Sequence, residues 1–304
     1  ERRMRKHGGG FAGRAQAVRL ALLGMVVVIG CTACARKKQH FSDVRIAFFP
    51  GGAPDQPFAG VVYEGARTAA EDLGCRMDYY WSFWIEDTIV AQFREALYTD
   101  PDAICIVGHP GEERMRPLVE EAFRKGIVVT LLNADLPGIK NDFMPRGCGY
   151  VGQDTYHPGY TLSSALLRKY APEQLREIHV LTWDYRENGA LSHRARRSLG
   201  LLEALKKENV PLHYSELPVP LRGACKPEEL AEHLKSILQQ YPDTGTIITD
   251  SGDATAALPE ALQILGIPPG AIIGAGFDLS VETVEGLREG HLGLVHDQQP
   301  FLQG

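Results

Sequence analysis

From Val44 onward, short β-rich runs alternate with amphipathic helical patterns, and no other feature constrains the fold as tightly. Val44 to Phe49 reads as a strand, and Phe58, Val62, Ala66, Ala69 and Leu73 then recur at helical spacing up to Gly74. A glycine there is a natural C′ residue, since it takes the left-handed conformation without a Cβ penalty. Arg76 to Trp81, Asp102 to Val107 and Ile127 to Leu132 follow as strands. The helices between them carry Ile89, Phe93 and Leu97, then Met115, Leu118, Ala122 and Phe123. Ile127 to Leu132 is nearly continuous in apolar residues, as a sheet covered on both faces requires. Pro137 to Gly149 reads as a Pro/Gly-rich loop, after which the pattern restarts. Tyr150 and Val151 form a short extended piece before a helix to about Tyr170. Strands are expected at Ile178 to Thr182, Leu212 to Leu217, Thr246 to Thr249, Ala271 to Gly274 and Leu292 to His296. The helices between them run near Ser192 to Lys207, Glu228 to Gln240, Asp253 to Leu265 and Ser280 to Glu289. Such alternation means parallel sheets built from βαβ units, and two series separated by a loop mean two similar lobes.

The start of the chain concerns address. Arg2, Arg3, Arg5, Lys6, Arg14 and Arg19 precede an uncharged run from Leu20 to Gly30, and Cys31 follows. A basic segment, a short apolar segment and small residues at the end make a secretory signal. Eleven residues rise only about 16 Å as a helix, roughly half the hydrocarbon thickness of a bilayer, which disfavours a span. Val28-Ile29-Gly30-Cys31 also resembles the bacterial lipobox, in which cleavage precedes a cysteine that becomes lipid-modified. Ala33-Cys34-Ala35 offers the alternative of plain cleavage after Ala35. Met4 reads as the initiator. Residues 1–30 are thus expected to be a signal peptide and 31–43 a tether. The body is then expected outside the cytoplasm, lipid-anchored through Cys31.

Charge narrows the partners. The first thirty residues hold six Lys/Arg and one acid, so 26 of the 32 basic and 37 of the 38 acidic side chains remain, a net charge of −11. This repels phosphate backbones and anionic bilayers, so neither nucleic acid nor a membrane surface is an expected partner. Cys75, Cys105, Cys148 and Cys225 occur singly, with no C-x-x-C pair and hence no zinc or thioredoxin-type signature. Cys105 reads as a small buried hydrophobe. Oxidising compartments permit a Cys148–Cys225 disulfide, which spacing neither supports nor opposes.

Ligands of parallel α/β sheets sit beyond the carboxyl ends of the strands. Those loops carry Asp55, Gln56 and Phe58; Asn133 and Asp135; Gln153 and Asp154; Trp183, Asp184 and Tyr185; Ser251 and Asp253; Asp278; and Asp297, Gln298 and Gln299. Paired carboxylates and amides match the one donor and two acceptor positions of each hydroxyl, and aromatic rings cover the C–H faces of a sugar. Asp253 directly precedes a helical pattern and reads first as an N-cap, as Asp154 does. Asp278, closing the run Gly274-Ala275-Gly276-Phe277-Asp278, is the better ligand candidate. Arg194, Arg196 and Arg197 form a basic helical cluster from which Arg197 can reach the cleft. No G-x-x-x-x-G-K-S/T, G-x-S-x-G, H-E-x-x-H or full G-x-G-x-x-G after a strand is present, the Gly8-Gly9-Gly10 run lies in the signal region without phosphate-loop context, His291 and His296 lack a carboxylate at metal-ligand spacing, and no cofactor is implied. No nucleophile and base pair occurs in the strand-end loops, which argues against an enzyme.

These residues resemble those of the sugar-binding proteins of bacterial ABC importers, the ribose-binding-protein-like, type I periplasmic binding proteins. Gln56-Pro57-Phe58 followed by a helix ending at Gly74 is similar to the family's N-P-F opening. Pro101-Asp102-Ala103-Ile104 and Gly126-Ile127-Val128-Val129 resemble two of its strands. Gly152-Gln153-Asp154 resembles its crossover, Gly276-Phe277-Asp278 its G-F-D, and Gln298-Gln299-Pro300 its return. The resemblance implies an N-lobe over 44–152, a C-lobe over 153–297 and a return over 298–304. The lobes would be joined by a hinge. Pro300, suited to a first helical position, itself reads as the start of a helix unfinished at Gly304, so a final strand and helix are expected beyond it. The resemblance also implies a ligand cleft lined by Gln56, Phe58, Asn133, Gln153, Arg197, Asp278 and Gln298, with Ser251 where the family commonly has Asn. Ala134 stands where ribose binders carry an arginine, and Ala59 replaces the second aromatic of the opening loop; Trp183 and Tyr185 are candidates for the missing aromatic face. The implied function is a monomeric substrate-binding component, with a monosaccharide or polyol as ligand and a membrane permease, fuelled by an ATPase, as partner. A sensory receptor of the same fold serving a histidine kinase or chemoreceptor is the alternative. A LacI-type repressor is opposed by the apolar run and by the charge.

Overall fold

The apolar runs become parallel strands, and the central ones are buried because helices cover both of their faces. The computed structural model describes residues 41–154, 156–182, 186–187, 190–191, 193–206, 210–217 and 225–304. The first sheet contains β1 (Arg45–Phe49), β2 (Arg76–Tyr79), β3 (Ala103–Val107), β4 (Val128–Leu132) and β5 (Gly149–Val151), in the order β2-β1-β3-β4-β5. All its pairings are parallel. Helices α1 (Ala59–Leu73), α2 (Glu86–Ala96) and α3 (Gly111–Arg124) lie between these strands. Phe48, Phe49, Ile104, Ile106, Val129 and Leu131 are fully buried against helix residues such as Val62, Phe93 and Met115. The first helix stops where the sequence indicates, at Gly74 with φ 73° and its N–H on the Ala70 carbonyl.

The loop expected from Pro137 to Gly149 contains a helix, α4 (Pro137–Phe143), and a 3-10 turn at Met144–Arg146. Pro137 is suited to a first helical turn, and Ile139 and Phe143 are buried, with the Phe143 ring stacked on Phe123 at 5.1 Å. The chain then passes to the second half through α5 (Tyr156–Lys169) and a single turn, α6 (Pro172–Leu175).

The second sheet contains β6 (Glu177–Thr182), β9 (Leu212–Glu216), β10 (Thr244–Thr249), β11 (Ile273–Phe277) and β12 (Leu292–His296). Its order is β12-β11-β10-β6-β9, again all parallel. A two-stranded antiparallel ribbon, β7 (Arg186–Glu187) with β8 (Ala190–Leu191), precedes α7 (His193–Lys206) and is an element the sequence pattern does not show. Helices α8 (Pro227–Gln240), α9 (Gly252–Ile264) and α10 (Val281–Glu289) complete this half. The strand expected at Ala271 to Gly274 instead runs from Ile273 to Phe277. The Pro268-Pro269-Gly270 turn takes up Ala271, whose N–H reaches the Pro268 carbonyl. Gly276 sits inside the strand because a Cβ there would lie 2.2 Å from Thr255 Oγ1. After β12 the backbone turns at Gln299 (φ 53°), and α11 (Pro300–Gln303) lies on α1, where the Phe301 carbonyl occupies the space of a Gly65 side chain.

Cys148 and Cys225 are free thiols, not the disulfide that sequence left open. Cys148 belongs to the core of the first sheet and Cys225 packs against a core of the second. Cys105 is half-buried against the first core. Cys31, the signal segment, Trp183, Asp184 and Tyr185 lie outside the described residues. Among the described residues, no helix is long and apolar enough to cross a membrane.

Candidate functional site

In each sheet the strand order reverses once, between β1 and β3 in the first and between β6 and β10 in the second. Such switch points open a crevice at the carboxyl ends of the strands. The two crevices share one cleft, lined by Gln56, Phe58, Trp84, His109 and Asn133 from the first half and by Arg197, Asp250 to Asp253, Asp278 and Gln298 from the second.

The first wall rests on two glycines. Gly51 (φ 99°) and Gly52 follow β1, and the Trp84 indole lies directly over them. A Cβ on Gly51 would come 2.3 Å from Trp84 Cζ3, and one on Gly52 would come 2.7 Å from its Nε1. The Trp84 N–H donates to the Gly51 carbonyl at 2.9 Å, and Ser82 Oγ donates to the same oxygen. Phe58 lies at 6.0 Å from the indole and His109 at 4.8 Å, each tilted 48° to it, so three rings cluster on this wall. The Gln56 side-chain oxygen accepts from the Ala53 N–H at 2.8 Å, which closes the loop after β1. Asn133 is buried at the end of β4 in the left-handed region (φ 55°), where asparagine is better tolerated than most residues. Asp135, two residues on, is paired with Lys140 at 2.5 Å instead.

The second wall is acidic and hydrogen-bonded. Asp278 ends β11 at 3 % exposure with φ 68°, and its Oδ1 accepts from Gln298 Nε2 at 2.6 Å. Gln298 Oε1 accepts from Arg197 Nη2 at 2.6 Å and from Gln153 Nε2 at 2.7 Å. Arg197, 6 % exposed, also donates to the Asp250 carbonyl at 2.6 Å and stacks its guanidinium 4.3 Å from the Phe277 ring centre. Asp250 Oδ2 accepts from Thr182 Oγ1 at 2.5 Å and Ser198 Oγ at 3.1 Å, which ties it into the lobe. Ser251 is the N-cap of α9, accepting from the Ala254 N–H at 3.4 Å. The reading of Asp253 as that cap is therefore corrected: it sits in the first turn and lines the cleft. Asp154 does serve the start of α5, accepting from the Tyr156 N–H at 2.9 Å.

Of the residues expected in the cleft, Gln56, Phe58, Asn133, Arg197, Ser251, Asp278 and Gln298 line it. Gln153 stands behind Gln298 rather than in the lining, and Trp183 is outside the described residues. Trp84, His109 and Asp250 were missed. Asp250 directly follows β10 and His109 lies two residues past β3, so the strand-end rule applied to every strand would have found them. Trp84 lies in the loop after β2, which the same rule covers, and it reaches the cleft through a backbone with φ 59° opposite the two glycines.

Burial pushes the Asp278 carboxyl up to about 6, while Arg197 and the bond from Gln298 pull the other way. Burial likewise lowers the pKa of the Arg197 guanidinium. Desolvation thus outweighs attraction for both groups. A raised folded pKa makes Asp278 stabilising below its ordinary range, and this contribution is lost as pH rises through 6. Ligand-free wild type should therefore gain about 1 kcal/mol relative to Asp278→Asn between pH 7 and pH 5, measured by denaturant unfolding. A ligand that donates to the carboxylate reverses the trend, and its affinity should fall about tenfold over the same interval. Among the described residues, no cluster of three or more His, Cys, Asp or Glu is placed to hold a metal.

Two parallel α/β halves feeding one polar, aromatic-faced cleft define a two-lobed ligand-binding protein. A family model described as "Periplasmic binding protein domain" matches residues 46–304, and the chain belongs to the type I, ribose-binding-protein-like periplasmic binding proteins. The Xylose/arabinose-binding protein XylF of Sulfolobus acidocaldarius is 26 % identical over 257 residues, which are 82 % of this chain and 60 % of that protein. The chain thus spans about three fifths of the length of this curated relative. GanP, a glucose-galactose binding protein from Geobacillus stearothermophilus, superposes with a TM-score of 0.69 at 20 % identity over 86 % of each chain. An ABC transporter solute binding protein from Burkholderia graminis C4D1M, solved in complex with D-arabinose, gives 0.71 at 19 % identity over 88 % of this chain and 86 % of that one. At these identities the solved structures establish the shared fold.

Proposed function

We propose that this protein is a non-enzymatic, extracytoplasmic receptor that binds a monosaccharide or similar polyhydroxylated molecule between its lobes and presents it to the permease of an ABC importer. The observation that carries this reading is the pairing of walls across the cleft. Trp84, Phe58 and His109 offer ring faces on one side, and Asp278, Gln298 and Arg197 offer acceptors and donors on the other. A sugar ring has this division, with C–H faces above and below and hydroxyls at the edge. Because the walls belong to different lobes, a ligand touching both favours the closed arrangement over the open one, which is the free-energy difference a hinge needs. In this reading the basic and apolar N-terminal segment directs export, and lipid on Cys31 keeps the receptor beside its permease.

A thermal-shift screen with D-xylose, L-arabinose, D-arabinose, D-ribose, D-glucose, D-galactose and myo-inositol tests the ligand class. A sugar present at a hundred times its Kd should add about 2.7 kcal/mol and raise Tm by roughly 5 °C or more. No shift with any sugar or polyol at millimolar concentration would refute it.

A further inference from the structure

The amide of Gln298 touches three polar side chains, and only one orientation satisfies them. Arg197 can only donate, and its Nη2 is 2.6 Å from one end of that amide, which must therefore be the oxygen. The other end, the NH2 group, then faces Asp278 Oδ1 at 2.6 Å. Gln153 approaches the same oxygen at 2.7 Å, so it must present its own NH2. Its remaining oxygen lies 3.2 Å from His296 Nε2, which must carry a proton. The bonds run in one sense, from His296 to Gln153 to Gln298 to Asp278, with Arg197 joining at Gln298. Gln153 lies between β5 and α5, and Gln298 between β12 and α11, so this contact joins the two segments that connect the sheets.

We infer that Gln153, which stands outside the cleft lining, is a positioning residue: by donating to Gln298 alongside Arg197 it helps hold that amide with its NH2 toward Asp278 and so keeps the Asp278 carboxylate an acceptor for ligand hydroxyls. The inference rests on the sugar-binding reading given above. The other groups that act on Asp278 are Arg197 on α7, Asp253 in the first turn of α9 and Asp297 after β12; Asp250 and His296 in turn act on or respond to Arg197. None of them donates to Gln298 Oε1 except Arg197.

Gln153→Glu keeps the size and reverses the polarity. At neutral pH the new carboxylate would face Gln298 Oε1, acceptor against acceptor. Gln298 must then turn its amide, which breaks its bond to Arg197 and sets an oxygen against Asp278. Gln153→Leu removes the donor without adding a charge and leaves Arg197 to hold the amide.

The test is a carbon-13 NMR titration of the Asp278 carboxyl in the ligand-free full chain, for wild type and both variants. Calorimetric titrations with D-xylose, L-arabinose, D-arabinose, D-glucose and D-galactose at pH 5.5 and pH 8 accompany it. In Gln153→Glu, Asp278 should titrate at least about one pH unit higher than in wild type. Sugar affinity should fall at least tenfold relative to wild type at pH 8. Gln153→Leu should lose a few-fold in affinity at both pH values. An unchanged Asp278 titration in Gln153→Glu overturns the inference, as does wild-type affinity in Gln153→Leu if the charged variant does not fold. Failure of every sugar to bind wild type, with the Asp278 titration displaced as described, sinks the sugar-binding reading and leaves the link from Gln153 to Asp278 standing.

Discussion

Asp278→Asn should weaken sugar binding about thirtyfold at pH 7.5 while leaving Tm unchanged or higher. A hydrogen bond to an ionised group contributes about 1.5–3 kcal/mol, or roughly one to two powers of ten in affinity. Asparagine is the informative replacement because residue 278 has φ 68°, a region that asparagine tolerates and alanine does not. The substitution removes a buried carboxylate whose ionisation is opposed by its surroundings, so folding loses nothing by it at neutral pH. Binding without the carboxylate must forgo the acceptor that faces the cleft. Loss of affinity with retained stability separates a ligand contact from a structural one, and calorimetry beside a melting curve reads both. Wild-type affinity in Asp278→Asn would remove this residue from the site.

Gly51→Ala should cost about 2–4 kcal/mol of stability and reduce sugar affinity at least tenfold. Two penalties combine there: a β-carbon at φ 99° is strained, and that carbon would overlap the Trp84 indole at 2.3 Å. The ring must move off the glycines, and the cluster it forms with Phe58 and His109 is lost. Gly126→Ala is the control. Its φ is 83°, but no atom lies within 4 Å of the new β-carbon, so about 1 kcal/mol of stability should go with no change in binding. Urea unfolding and calorimetry on the pair distinguish strain from displacement of the ring. Equal effects of the two substitutions on affinity would show that Trp84 does not shape the cleft.

The fold was legible because burial on both faces of a sheet writes itself into the chain as apolar runs of fixed length. Ile127 to Leu132 and Leu292 to His296 could be read to within a residue. Periodicity failed where close approach replaces hydrophobicity. Gly276 occupies a strand interior only because two threonines press on it, and α4 hides in a stretch that looks like a loop until Phe143 meets Phe123. The strand-end rule located most of the cleft lining from a list of loop residues, since it depends on topology and topology follows from the alternation. It could not place Gln153 behind Gln298, because that depends on two crossing segments 145 residues apart meeting side by side. Nor could it single out Trp84 from the other aromatic residues of the loop after β2, because Trp84 enters by a turn with two consecutive positive φ values at Phe83 and Trp84.

The most direct test of binding between the two sheets is small-angle X-ray scattering of the full chain with and without the sugar that gives the largest melting shift. A ligand that bridges Trp84 on one lobe and Asp278 on the other holds the lobes together, so the radius of gyration should fall on saturation and the distance distribution should lose its longest vectors. Unchanged scattering with the sugar demonstrably bound would contradict a site shared by the two lobes.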